Sequence, residues 1–264
     1  EMSLEVKEVT TEKQYREFVQ LPFELYKDNQ YWVPPIKKDE LKALKPASNP
    51  AFQFCRVKFW LAYCNNRCVG RIAGIIHDKY NELKGTSIAR FSRMEFEDSA
   101  ETAGALLEVA ENWARENGMN AIHGPLGFSN LDHQAMLVEG FDHLPSIASE
   151  YHLPYYHKHL ESFGYKKEID WVEFRLKLGD AVPEKALKLN SIIQKRYGLK
   201  VVSFTNTAQM RPYGKKIFAL LNEAFKDLFS MVPLDDQMIE YYINRYFNLL
   251  NPEFVKVVLS KEEE

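Results

Sequence analysis

No run of apolar residues in this 264-residue chain approaches the twenty or so that a membrane-spanning helix needs; residues 72–76 are among the longest. The N-terminus lacks a charged stretch leading into an apolar core, so no secretory leader is read there. Cysteine is scarce. Cys55, Cys64 and Cys68 cannot close a disulfide framework, and no second Cys or His pair stands at zinc spacing. The expectation is reduced thiols in a cytoplasmic protein without a metal. An excess of positive charge is also missing: 34 basic against 37 acidic residues give a net charge of −3. With no basic tail or stripe, nucleic acid is not an expected partner, nor is a membrane. What is present is 45% hydrophobic and 27% charged residues, enough for one large domain or two smaller ones.

Residues 4–9 alternate like a strand, and Thr11 to Gln14 reads as a capping box opening a helix that Pro22 should break or restart. Residues 56–63 and 68–76 read as strands, with Asn65-Asn66 as the turn between them. The strand over 87–97 shifts its apolar phase between Phe91 and Met94, which predicts a bulge. Ala103, Leu106, Leu107, Ala110, Trp113 and Ala114 give the helix over 99–117 its buried stripe, and Gly118 ends it. After a short strand at 121–124, residues 125–153 form a connection without periodicity, long enough to suggest a functional loop. A helix from Pro154 carries Tyr156, His159, Leu160 and Phe163 on one face, and residues 171–178 read as a closing strand.

Near residue 200 the pattern begins again. Glu24-Leu25-Tyr26-Lys27-Asp28 with Val33-Pro34 matches Glu223-Ala224-Phe225-Lys226-Asp227 with Val232-Pro233 without a gap. Residues 57–61 and 49–52 have counterparts at 255–259 and 251–254 in the same order. This reads as a tandem duplication: a first domain over 1–180, a linking helix over 181–198, and a partial second copy over 199–264.

The element order over 4–178 resembles the GNAT superfamily of acyl-CoA N-acyltransferases, through the strand ending at Glu97, the helix to Gly118, and Glu161-Ser162-Phe163-Gly164-Tyr165. Tyr31 to Pro35 and Val138 to Asp142 are similar to segments of a bacterial branch of that superfamily. The resemblance implies an α/β (α+β) fold with a mixed, mostly antiparallel sheet flanked by helices. It also implies acetyl-CoA or another acyl-CoA as donor and a small amine as acceptor. The coenzyme's pyrophosphate would lie at Ala100, Glu101, Thr102 and Ala103, on the positive end of the helix. The pantetheine arm would lie along Phe96 and Glu97. Here Asp98 and Glu101 depart from the family's basic and glycine positions, and self-capping of the helix is the competing use of those donors. Tyr156, one turn before the position where the family places a tyrosine, would protonate the thiolate. Among the loop residues, Glu139 is the candidate base, and Asn130 and Asp132 are candidates for receiving the amine.

Two other functions stand beside this one. A binding module that kept the fold and lost the donor site would account for the acidic turn. A Fem-like aminoacyl or peptidyl transferase would also pair two such domains, but needs a basic surface for transfer RNA. Whether the chain forms a homodimer is left open by the sequence.

Overall fold

The computed structural model describes residues 3–177 and 179–261. The chain divides into two compact units, one running to Asp170 and including Phe225–Pro233, the other made of Trp171–Ala224 and the chain from Leu234 on.

The first unit contains β1 (Leu4–Glu8), α1 (Glu12–Leu25), α2 (Lys37–Ala43), β2 (Cys55–Cys64), β3 (Arg67–His77), α3 (Asp78–Lys84), β4 (Ile88–Phe96), α4 (Ala100–Glu116), β5 (Ala121–His123) and α5 (Tyr156–Ser162). The five strands lie side by side in chain order. The first three pairings are antiparallel and β4–β5 is parallel, giving the mixed, mostly antiparallel sheet that the resemblance implied.

Local chemistry explains most of this. Asn65 and Asn66 adopt φ of 50° and 64°, the conformation a two-residue hairpin needs, so β2 folds directly back as β3. In β4, Arg71 stands opposite Glu95 while Ala73 stands opposite Ser92, and Arg93 takes φ 49°. This is the expected bulge. It lets Ala89 and Phe91 before it, and Met94 and Phe96 after it, enter one core beneath α4. Two glycines of β3 make room for that helix. A Cβ on Gly70 would lie 2.8 Å from Leu106 Cδ1, and one on Gly74 would lie 2.8 Å from the Trp113 ring. A second core, with Phe18, Val19, Leu44, Phe59, Leu61 and Ala73, lies under α1 on the opposite face.

Helix α1 opens with the full Thr11–Gln14 capping box, but Pro22 neither breaks nor restarts it. The correction has a specific cause. Proline at 22 cannot donate to the Phe18 carbonyl one turn earlier, and Arg71 Nη1 reaches over from β3 to donate to that oxygen at 2.7 Å.

The second unit contains α6 (Glu184–Tyr197), β6 (Lys200–Ser203), α7 (Thr207–Met210), most of α8 (Gly214–Phe225), α9 (Asp236–Tyr246) and β7 (Lys256–Leu259). β6 and β7 form an antiparallel pair. Met238, Ile239, Tyr242 and Ile243 of α9 are buried in this unit, with Phe218 of α8. The strand expected over 171–178 is absent: residues 171–177 have no regular structure, and Leu178 lies outside the described residues. The alternation is real, but Val172, Phe174 and Leu176 are exposed and no strand pairs with them among the described residues. An apolar alternation without a ladder partner does not make a strand.

Candidate functional site

β4 and β5 pair only from Ile88–Arg90 to Ala121–His123. Beyond Arg90 the edge of β4 is taken over by other groups. Leu126 N–H donates to the Phe91 carbonyl at 3.0 Å. At the strand end, Tyr155 Oη donates to the Phe96 carbonyl at 2.5 Å, and Phe96 N–H donates to Tyr156 Oη at 3.3 Å. The α5 tyrosines therefore sit where a fifth strand would have continued.

Tyr156 leads to the chemistry. Its ring stacks on Phe96 with centroids 4.5 Å apart, and its hydroxyl donates to Glu95 Oε2 at 2.5 Å. Tyr26, from the end of α1, donates to the same oxygen at 2.8 Å. On the other side, Arg71 Nη2 lies 3.9 Å from Glu95 Oε1. Glu95 and Tyr26 are 1% exposed and Tyr156 is 0% exposed. Removal from water disfavours the carboxylate most strongly, while Arg71 and the two hydroxyls favour it; the balance pushes Glu95 up to about 7. Burial and the neighbouring carboxylate drive both tyrosines well above their ordinary range, so they stay protonated as donors. A buried carboxyl that exchanges its proton near neutrality, gripped by two hydroxyls, is suited to taking and returning a proton.

Each part has a local cause. The bulge at Arg93 keeps Met94 and Phe96 in the core and leaves Glu95 on the Arg71 side. Arg71 is anchored because Pro22 leaves the Phe18 carbonyl available. An aromatic group closes over the hub. Trp32 stacks on Tyr26 at 5.1 Å, Tyr151 meets Tyr26 edge-on at 6.1 Å, and Tyr31 stacks on Tyr151 at 6.3 Å. The loop carrying Tyr151 is tied at its base, where Leu137 N–H donates to Nδ1 of the buried His152 at 3.2 Å.

The sequence-derived candidates fall in several places. Tyr156 is at the hub, but the carboxylate beside it is Glu95; Glu139 is exposed on the loop. Asp132 Oδ2 accepts from Phe128 and Ser129 N–H and so holds its own turn, while Asn130 Nδ2 donates to the Phe229 carbonyl and ties the loop to residues 225–233 of the same unit. Phe96 uses its N–H and C=O on the α5 tyrosines, and Glu97 N–H donates to the Val69 carbonyl at 3.0 Å. The Glu97 carboxylate is held by Arg67. At the start of α4, Ser99 caps Thr102 N–H, and Ala103 N–H donates to the Ser99 carbonyl. Glu101 stands one residue short of the position from which a capping box is closed. Asp98, which stands where the family has a basic position, is bound by His159 Nε2 at 2.7 Å.

Sequence reasoning passed over Glu95, Tyr26 and Arg71. The signal was partial: Arg71 and Glu95 are charged residues within largely buried strands that also carry Arg90 and Arg93, and charges inside buried strands are rare unless paired.

No family model matches the chain. It is similar to Protein YghO of Escherichia coli strain K12, 27% identical over 220 residues, covering 83% of this chain and 55% of that protein. It is also similar to a protein named Bacterial ceramide synthase from Caulobacter vibrioides, 28% identical over 236 residues, covering 87% and 60%. The chain thus spans between half and two thirds of these relatives' lengths. Among solved structures, a tandem GNAT protein from the clavulanic acid biosynthesis pathway matches with a TM-score of 0.42 at 15% identity, over 61% of this chain and 43% of that one. The aminoglycoside N-acetyltransferase AAC(6')-Iy in complex with CoA matches with a TM-score of 0.40 at 10% identity, over 67% and 97%.

Proposed function

We propose that the first unit transfers an acyl group from coenzyme A to a primary amine, with Glu95 accepting the amine's proton. One observation carries the reading: a fully buried carboxyl poised near neutral pH, held by Tyr26 and Tyr156 at the end of β4 that β5 leaves unpaired. The amine nitrogen attacks the thioester carbonyl, a C–N bond forms and the C–S bond breaks. The proton lost by nitrogen passes to Glu95 and returns to the departing thiolate through the Tyr156 hydroxyl, which gives up one proton as it gains another. Tyr156 is a relay here, because burial makes it a reluctant acid alone.

The coenzyme's pyrophosphate would meet the Ala100 and Glu101 N–H groups, since those of Thr102 and Ala103 are already used. The Arg67 guanidinium lowers the negative charge of Glu97 there, and His159 Nε2 holds Asp98 Oδ1 at 2.7 Å. The Caulobacter relative's name fits the same bond type, because a ceramide is an amide on a long-chain base. An acceptor of that kind, a long-chain amine, is the substrate class we favour.

A binding module is the second reading, favoured by the use of both Phe96 main-chain groups by α5. Incubating the protein with acetyl-CoA or a long-chain acyl-CoA and a panel of primary amines separates the two. Amine-dependent release of free thiol, with the amide detected by mass, is the expected result. Binding of either ligand without thiol release would replace the enzyme with the module.

A further inference from the structure

The aromatic group over Glu95 is larger than a lid requires. Trp32 and Tyr31 are only half-buried, and behind them Tyr26 and Tyr151 are almost completely buried. Phe23 adds an edge-on contact to Trp32 at 5.1 Å. The rings thus run as a continuous wall from the surface to the hydroxyl that touches Glu95. Ring faces carry negative charge density and attract ammonium groups, the more so when partly desolvated. One ammonium already lies on this wall: Lys37 Nζ sits over the Phe23 ring, 4.3 Å from its centroid. The fixed guanidinium of the hub, Arg71, lies against the far oxygen of Glu95 and the Phe18 ring, so it does not occupy the Tyr26 side.

We propose that the Trp32, Tyr31 and Tyr151 rings form a subsite for an alkylammonium group, which they hold by cation–π contact and deliver to Glu95. Delivery to Glu95 rests on the acyl-transfer reading, whereas binding at the rings does not. The class of ligand is a primary ammonium on an aliphatic chain. The rings hold the ammonium as it arrives; it gives one proton to solvent before attack, and the proton that nitrogen loses on attack is the one Glu95 takes and passes to the thiolate. Tyr151 also closes the subsite, since its hydroxyl donates to the Phe141 carbonyl at 2.8 Å and fixes the loop beside it.

Intrinsic fluorescence of the intact protein tests this. Octylamine, trimethyloctylammonium and octanol are titrated separately, and the Trp32→Phe variant identifies the part of the signal that arises at Trp32. Both cations should give a saturable change that octanol does not. In Tyr151→Leu the affinity for both should fall about tenfold, the order expected for one partly desolvated cation–π contact. Tyr151→Phe, which keeps the ring, should retain it, and circular dichroism of each variant checks folding. An equal response to octanol, no response to any ligand, or unchanged affinity in folded Tyr151→Leu would overturn the subsite. Ammonium binding without acyl transfer would leave the subsite standing and remove the enzyme reading. Acyl transfer with unchanged amine KM in Tyr151→Leu would do the reverse.

Discussion

Glu95 carries opposite costs for stability and chemistry. Its ordinary value near 4.5 is raised to about 7, so the folded protein binds this proton more tightly than the unfolded chain does. Its favourable contribution is complete below 4.5 and is lost as pH rises through about 7. Glu95→Gln is neutral at every pH and still accepts from both tyrosines. Its stability relative to the parent should therefore improve by about 3 kcal/mol between pH 4.5 and pH values above 7, measured by urea denaturation across that window. Tyr156→Phe makes a different prediction. The Tyr156 hydrogen bond favours the Glu95 carboxylate, so its removal should move the inflection of the pH–rate profile to higher pH. It also leaves the Phe96 N–H without its acceptor, at a cost of about 1–3 kcal/mol in the same denaturation experiment. Tyr156 was legible in the sequence because it lies on a helix face with a clear period. Its partner was not, because the hub joins residues 26, 71, 95 and 156 through a sheet register that no local pattern reveals.

At the scale of elements, the legible parts were those with a local cause. The Asn65-Asn66 turn, the Thr11–Gln14 box, the phase shift in β4 and the stripe of α4 each depend on residues within a few positions of one another. Pro22 misled because its effect is tertiary: the hydrogen bond lost inside α1 is replaced by Arg71 from β3. Residues 171–178 misled in the opposite direction, since their alternation describes a strand only where a neighbour supplies the ladder. The seat of α4 on β3 offers a sharp test. Gly74→Ala puts a methyl group 2.8 Å from the rigid Trp113 ring and should destabilise the protein by about 1–3 kcal/mol, seen as a lower denaturation midpoint. Gly85→Ala is a useful contrast. Its Cβ would meet nothing within 4 Å, so any cost arises from its φ of 63° rather than from packing.

Across the whole chain, the proposed duplication is instructive for where its two copies differ. The residue aligned with Tyr26 is Phe225, which has no hydroxyl to offer a carboxyl, so the hub belongs to the first copy. The aligned segment itself, Phe225–Pro233, clusters with the first unit. There Arg90 Nη2 donates to the Ser230 carbonyl at 3.2 Å and Asn130 Nδ2 to the Phe229 carbonyl at 3.0 Å. Trypsin cutting after Arg175 or Lys177, in the stretch without regular structure, should therefore yield two fragments that co-elute on gel filtration. Their separation under native conditions would show that Phe225–Pro233 is not held in the first unit.

If Glu95 accepts the amine's proton in acyl transfer, its ionisation must govern the pH dependence of amine-dependent thiol release from acyl-CoA, compared side by side in the parent and Glu95→Gln. The parent's rate should rise with pH through an inflection near 7, and the variant should be slower by about 10²–10⁴ while still folded. A variant that releases thiol at the parent's rate, with the same inflection, would contradict that role for Glu95.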